Sequence, residues 1–174
     1  MLSKKLFVGF VVMLVVVSVS GCQSARKALN MNTSVVIEFA AAESLNPDAD
    51  DRASPVVIHV FKLADDRQFN REDFLSLYEG AEARLGKDLI DSVELKELTP
   101  GETRSEVIEL SEEVKFIGLM AEFIQYRDAE ALLSLPVLEH NQSAFNIELN
   151  KNRIAIAEPV EEEPPTLRYR STTK

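Results

Sequence analysis

The sequence predicts a mainly β protein, a two-sheet β-sandwich with one inserted helix. Residues 34–157 contain about seven short segments that are rich in β-branched and aromatic residues and are separated by turn-forming residues. Only one segment, which follows Phe69, repeats its apolar residues with a period near 3.6. The stretch is long enough for one domain that buries its own core.

The first two strands are predicted over residues 34–40 and 56–63, both rich in valine and isoleucine. In the second strand both alternating faces are largely apolar, so we expect other elements to cover both sides of it. Residues 43–54 lie between the strands and contain the sequences Asn46-Pro47-Asp48 and Asp50-Asp51. Proline and Asp or Asn at this density predict a long loop built from turns.

The helix is predicted to follow Asn70, which can serve as its N-cap, with Asp73 in the acidic position of a capping box. We expect it to end near Gly86 and to bury one side against a sheet. The apolar stripe comprises Phe74, Leu77, Tyr78, Ala81 and Leu85.

The later part of the chain predicts short strands joined by turns. Pro100 and Gly101 occupy the two central positions of a β-turn. Residues 128–135 are predicted as one or two helical turns ending before Pro136. The further predicted strands are 91–98, 104–110, 115–126 (the longest), 143–149 and 153–157, the last two forming a terminal hairpin.

The N-terminus predicts a lipoprotein signal peptide over residues 1–21. Two lysines precede the run 6–17, which is apolar except for one glycine, and Val19-Ser20-Gly21-Cys22 follows it. Twelve helical residues span about 18 Å, well short of the ~30 Å hydrocarbon core of a membrane. The ending resembles a bacterial lipobox, in which the cysteine thiol receives diacylglycerol and the new N-terminus an N-acyl chain. The alternatives are an ordinary secretory signal with an incidental cysteine and an N-terminal membrane anchor.

Composition and charge exclude several classes of function. The chain has 19 bases, 29 acids and one cysteine, which disfavours nucleic-acid binding and excludes an internal disulfide framework or a cysteine-based zinc site. Removal of the signal changes the formal charge from −10 to −12. Residues 22–33 are predicted as a lipid-anchored tether and residues 158–174 as a disordered tail. Gln23 after the cysteine favours sorting to the periplasmic face of the outer membrane.

No catalytic motif is present in the sequence, so we expect a protein that is not an enzyme and has no small-molecule substrate, metal or other cofactor. His59 is expected to be a satisfied core or edge residue, and His140 a solvated loop residue. A calcium loop at residues 46–51 is disfavoured because it lacks the central glycine and terminal glutamate of an EF-hand.

The order of several motifs resembles the TssJ family, the outer-membrane lipoprotein of the bacterial type VI secretion system. After the lipobox come Asn46-Pro47-Asp48, the strand at 54–63, Leu98 with Pro100-Gly101, and the strand at 117–123. The resemblance implies a transthyretin-like sandwich with a structural role and, as partner, the periplasmic C-terminal domain of TssM. It places the contact in the loop at residues 43–54, with Asn46, Pro47, Asp48, Asp50, Asp51 and Arg52 as candidate binding residues. Asp48, Asp50 and Asp51 are expected to give this loop a negative rim.

Two other classes of protein remain open. An unrelated envelope lipoprotein, such as a carbohydrate-binding module or an inhibitor of a periplasmic enzyme, would share the anchor and the sandwich. A hydrolase would require a pocket with clustered carboxylates.

Overall fold

The computed structural model describes residues 32–157 of the chain. Within this range eight strands form two four-stranded sheets, in the orders β4-β1-β7-β8 and β3-β2-β5-β6, and one α-helix, α1, covers the second sheet. The elements are β1 (Thr33–Ala41), β2 (Ile58–Leu63), α1 (Phe74–Leu85), β3 (Leu89–Glu94), β4 (Thr103–Leu110), β5 (Phe116–Ala121), β6 (Leu132–Pro136), β7 (Gln142–Asn150) and β8 (Arg153–Ile156). The predicted mainly β, transthyretin-like sandwich with an inserted helix is confirmed.

Strand β1 sets the direction of the sandwich. It pairs antiparallel with β4 and parallel with β7, and its nine residues carry the chain about 30 Å from one end of the body to the other. We call the end at Thr33 the proximal pole. The opposite end, the distal pole, comprises residues 42–57, 99–102, 122–131 and 150–153. Any segment that leads into Thr33 therefore enters at the pole opposite these loops.

Two apolar cores hold the layers together. Val35, Ile37 and Phe39 alternate inward along β1 and meet Ile58 and Val60 of β2 between the sheets. The other side of β2 packs under α1, as the two apolar faces of this strand predict. This second core comprises Phe61, Leu63, Phe69, Leu77, Leu85 and Met120.

The helix begins three residues later than predicted. Asp73 is its N-cap, with Oδ1 accepting a hydrogen bond from the Ser76 N–H at 2.8 Å. Asn70 instead lies in a short 3₁₀ turn, where its side chain donates to Asp66 at 2.8 Å. The exposed fraction of Tyr78 is 57%, so the buried stripe is narrower than the sequence predicts. The helix ends before Gly86, as expected.

The prediction for residues 115–136 was right for the strand at Phe116–Ala121 and wrong beyond it. Strand β5 ends at Ala121 instead of reaching residue 126, because the chain then turns into a 3₁₀ segment at Tyr126–Asp128. Residues 132–136 form a strand, β6, instead of helical turns. A run of five residues is too short to distinguish the helical period of about 3.6 from the strand period of about 2. The edge of β5 also offers backbone hydrogen-bonding groups, which a strand can pair with and a helical turn would leave unpaired.

The predicted signal peptide, the tether up to residue 31 and the tail at residues 158–174 lie outside the described residues. Between residues 32 and 157, no helix is long and apolar enough to cross a membrane.

Candidate functional site

The predicted contact loop, residues 43–54, lies at the distal pole and is tied to the β7–β8 hairpin. The Asn46 N–H donates to the Lys151 carbonyl at 2.7 Å, and the Ser44 hydroxyl donates to Asn150 Oδ1 at 3.0 Å. Where the loop begins, the Ala42 N–H donates to the Leu149 carbonyl at 2.8 Å. The loop is therefore held by the frame of the sandwich at its first turn.

Asn46 fixes the base of this loop. Its exposed fraction is 2%, and its φ of 47° lies in the left-handed region that asparagine tolerates better than most residues. Its side-chain Nδ2 donates to the Pro55 carbonyl at 2.6 Å, while Oδ1 accepts from the Ile124 N–H at 2.7 Å. Asn46 thus joins both ends of the loop to the segment after β5, with its side chain turned into the protein.

Asp48 and Arg52 close the tip of the loop. Asp48 Oδ1 accepts from the backbone N–H groups of Asp50 at 2.8 Å and Arg52 at 3.0 Å, and Oδ2 accepts from Arg52 Nε at 2.9 Å. The Arg52 guanidinium and these backbone donors hold the pKa of Asp48 below its ordinary value. The tip is therefore a preformed turn with an ionised acid at its centre.

The segment after β5 supports the loop from the side. Gln125 Nε2 donates to the carbonyls of Pro47 at 3.1 Å and Asp48 at 3.0 Å. Next to it, the Ile124 side chain is 52% exposed. The surface at the distal pole thus combines a fixed polar loop with an apolar neighbour.

The charge on this surface differs from the three-acid rim that the sequence predicts. Arg52 pairs with Asp48 at 2.8 Å and with Asp50 at 3.2 Å, so one guanidinium serves two of the three acids. Asp51 is exposed at the tip with a φ of 59°. The outermost negative charge therefore comes from Asp50 and Asp51, while Asp48 shapes the turn.

The two histidines lie outside this loop. His59 is half-buried on β2 and is hydrogen-bonded through Nε2 to the Glu122 carboxylate, with its ring stacked near Phe61 at 6.3 Å between centroids. Its ring is therefore satisfied, as predicted, but β2 is an inner strand of its sheet, so His59 does not lie at a sheet edge. His140 lies in a turn at the proximal pole, where its N–H donates to Thr33 Oγ1 at 3.0 Å. In the described part of the chain, no group of three His, Cys, Asp or Glu side chains is arranged to hold a metal ion.

Sequence reasoning missed the residues that hold the loop. Ile124 and Gln125 were placed in a long strand, and they meet the loop across 77 or 78 residues of chain. No local pattern indicates such a contact, because it depends on where β5 ends relative to β1.

Comparison with known protein families shows to which family this chain belongs. The family model T6SS-SciN, described as type VI secretion lipoprotein, VasD, EvfM, TssJ, VC_A0113, matches residues 33–152. The chain belongs to this type VI secretion lipoprotein family. The resemblance found in the sequence is thereby confirmed. No curated protein matches the chain.

Solved structures agree with the family. The T6SS lipoprotein TssJ1 from Pseudomonas aeruginosa is 32% identical, covers 74% of this chain and 98% of its own, and superposes with a TM-score of 0.68. Two further structures share the fold. A chain of the structure named "Type VI membrane complex" is 23% identical, with coverage of 72% and 98% and a TM-score of 0.64. A chain of "T6SS protein TssM C-terminal domain" from EAEC is 21% identical, with coverage of 73% and 99% and a TM-score of 0.61.

Proposed function

We propose that this chain is a structural component of the type VI secretion membrane complex that docks the periplasmic C-terminal domain of TssM through its distal pole. Lipid on Cys22 anchors it in the outer membrane with the body facing the periplasm. The observation that carries this proposal is the fixed loop at residues 43–54, opposite the pole where the chain enters.

The position of the loop supports docking away from a membrane. The chain enters β1 at Thr33, and β1 separates this entry from the loop by about 30 Å. A lipid at Cys22 leaves ten residues of tether, 23–32, before Thr33. With the proximal pole facing the membrane, the distal pole is presented to a partner that crosses the periplasm.

The rigidity of the loop supports recognition. Asn46, the Asp48–Arg52 turn and Gln125 hold it in one shape, so binding need not pay a large cost in ordering the backbone. Exposed Ile124 supplies apolar area beside it. Two structures that share this fold are named as a type VI membrane complex and a TssM C-terminal domain. These names are consistent with TssM as the partner.

The charge at the tip suggests how the encounter is guided. Asp50 and Asp51 favour a basic patch on TssM, and exposed charges at the rim of an interface act mainly on the association rate. The effect is expected to fade at high salt, because the Debye length falls from about 10 Å at 0.1 M to 3 Å at 1 M.

The test is binding of the TssM domain to the mature chain carrying Cys22→Ser, which keeps it soluble. The double variant Asp50→Lys with Asp51→Lys should slow association about tenfold at low salt and much less at 1 M salt. The matched control is Glu112→Lys with Glu113→Lys, which makes the same double charge reversal on an exposed turn at the proximal pole. Equal effects of the loop and control variants would refute docking by the loop.

A further inference from the structure

Strands β6 and β8 form the open edges of the two sheets on the same side of the sandwich. They are tied together at the distal pole, where the Glu130 N–H donates to the Asn152 carbonyl at 3.0 Å and the Ile154 N–H donates to the Glu130 carbonyl at 2.9 Å. Away from this tie the strands separate around a groove of about 650 Å³. We call this groove the strand fork.

Backbone groups of both strands face the strand fork. The Ala131 carbonyl accepts a hydrogen bond from the Ala121 N–H of β5. Because the backbone groups of successive residues point to opposite sides of a strand, the N–H and C=O of Leu132 and Ser134 point away from β5. On the other side the Ile154 N–H points out of its sheet toward Glu130, so Ile156, two residues on, also faces outward. Two strand edges therefore present hydrogen-bonding groups to one groove.

The side chains of the strand fork suit an extended peptide with alternating character. Phe74 stacks on Tyr126 at 5.4 Å between ring centroids, and with Leu133 and the half-exposed Ile156 they provide apolar walls. Charged groups of both signs lie at the rim: Asp73, Arg127, Glu130 and Arg153. Addition of a strand to an open sheet edge uses this combination, with backbone bonds for affinity and side-chain pockets for selection.

We propose that the strand fork is a strand-acceptor site and that residues 166–171 of this same chain occupy it. The chain leaves the described body at residue 157, directly after Ile156, which lines the fork. Residues 166–171 read Thr-Leu-Arg-Tyr-Arg-Ser, so Leu167 and Tyr169 alternate with Arg168 and Arg170. This is the pattern of a strand with one apolar side, so part of the tail that composition alone predicts to be disordered would become ordered on docking.

The connection between Ile156 and this segment has the required length and composition. Residues 158–165 span up to about 28 Å when extended, which exceeds the ~17 Å length of a five-residue strand such as β6. The connection holds three prolines, which do not continue a β-ladder, and four glutamates. These glutamates complement Arg127 at the rim, while Arg168 and Arg170 complement Asp73; Glu130 and Arg153 already pair with each other at 2.7 Å. Covering open edges in this way also protects them from pairing between molecules.

Amide hydrogen exchange in the mature chain carrying Cys22→Ser tests the proposal. The amides of Leu132, Ser134 and Ile156 should be protected, and Leu167→Asp with Tyr169→Asp should raise their exchange rates by about tenfold or more. The matched control is Thr172→Asp with Thr173→Asp, which adds the same charge outside the segment and should leave the rates unchanged. Constant rates at the Ile37 amide show that the fold is intact.

Three results would overturn the proposal. Equal exchange at Leu132, Ser134 and Ile156 in all variants would mean that the segment does not occupy the fork. Protection that rises with protein concentration would assign the fork to a second copy. Protection that arises only on addition of the TssM domain would assign it to that partner.

Discussion

The side-chain oxygen of Asn46 accepts a 2.7 Å hydrogen bond from the backbone N–H of Ile124, 78 residues further along the chain. Through this bond the loop between β1 and β2 and the segment after β5 become one surface. The other end of the amide donates to the Pro55 carbonyl, so the entry and exit of the loop are fixed by the same side chain. The shape of the distal pole therefore depends on a buried residue that does not itself form its outer face.

Replacement of Asn46 by alanine should destabilise the fold and loosen the loop. The change leaves the Pro55 carbonyl and the Ile124 N–H, which are part-buried, without their side-chain partner and forces alanine into a left-handed conformation, so we expect a loss of about 1–3 kcal/mol in the free energy of unfolding. Urea unfolding measures it. The matched control is Asn70→Ala, which removes one exposed hydrogen bond and should cost well under 1 kcal/mol. Equal losses at the two positions would contradict the role of Asn46.

Replacement of Arg52 by glutamine should raise the pKa of Asp48. The guanidinium is the largest cause of the lowered pKa, while the backbone donors of residues 50 and 52 remain, so the new pKa should still lie below the ordinary value of 3.8. NMR titration of the Asp48 carboxyl carbon measures the change. Asp65, held low by Arg67, is the internal control and should not move.

The same shift gives a pH dependence of stability. Because the pKa of Asp48 is lower in the folded state, the unfolded chain binds this proton first as the pH falls. The stabilisation from Asp48 is therefore complete above pH 3.8 and is lost as the pH falls through the folded-state pKa. A stabilising effect of Asp48 that grows on acidification would contradict this assignment.

Replacement of Gly118 by alanine should destabilise the core under the helix. A Cβ at Gly118 would lie 2.7 Å from Cε2 of Phe69, whose ring is buried and cannot move aside freely. We expect a loss of about 1–3 kcal/mol from overpacking, measured by urea unfolding. The control is Gly80→Ala at the kink within the helix, where a Cβ meets no atom within 4 Å. A neutral Gly118→Ala would show that Phe69 packs less tightly against β5.

Replacement of Cys22 by serine should abolish lipidation, because the sulfur is the atom that would carry the diacylglycerol. Metabolic labelling with a fatty-acid analogue should mark the wild-type chain and the Ser24→Ala control, and should leave the Cys22→Ser chain unmarked. Normal fractionation of Cys22→Ser with the outer membrane would refute the anchor.

The regular parts of the fold could be predicted because their patterns are local. The alternation of β1 and β7 and the Pro100-Gly101 turn follow directly from side-chain period and backbone preference, and Gly101 has the positive φ, 77°, that this turn requires. The N-cap was misplaced because both Asn70 and Asp73 are good caps; Asn70 lies in a separate 3₁₀ turn that begins at the buried Phe69, and the α-helix starts after Asp73. Strand β6 was missed because its residues form a strand by pairing with the edge of β5, and the local sequence does not indicate this pairing.

The candidate loop could be located but its internal order could not. Proline and Asx residues indicate turns at residues 46–51, yet the contacts that fix them come from Lys151, Ile124 and Gln125. Arg52 lies next to the acids in sequence, and its pairing with two of them depends on the tight turn at Asp51. The number of acids in the loop sequence therefore overstates the negative charge that the folded loop exposes.

The most direct test of the docking proposal is amide hydrogen exchange of the mature chain with and without the TssM periplasmic C-terminal domain. The account predicts that binding slows exchange in residues 43–54 and 122–125 at the distal pole and leaves residues 111–115 at the proximal pole unchanged. Protection confined to the proximal pole, or binding without protection at residues 43–54, would contradict it.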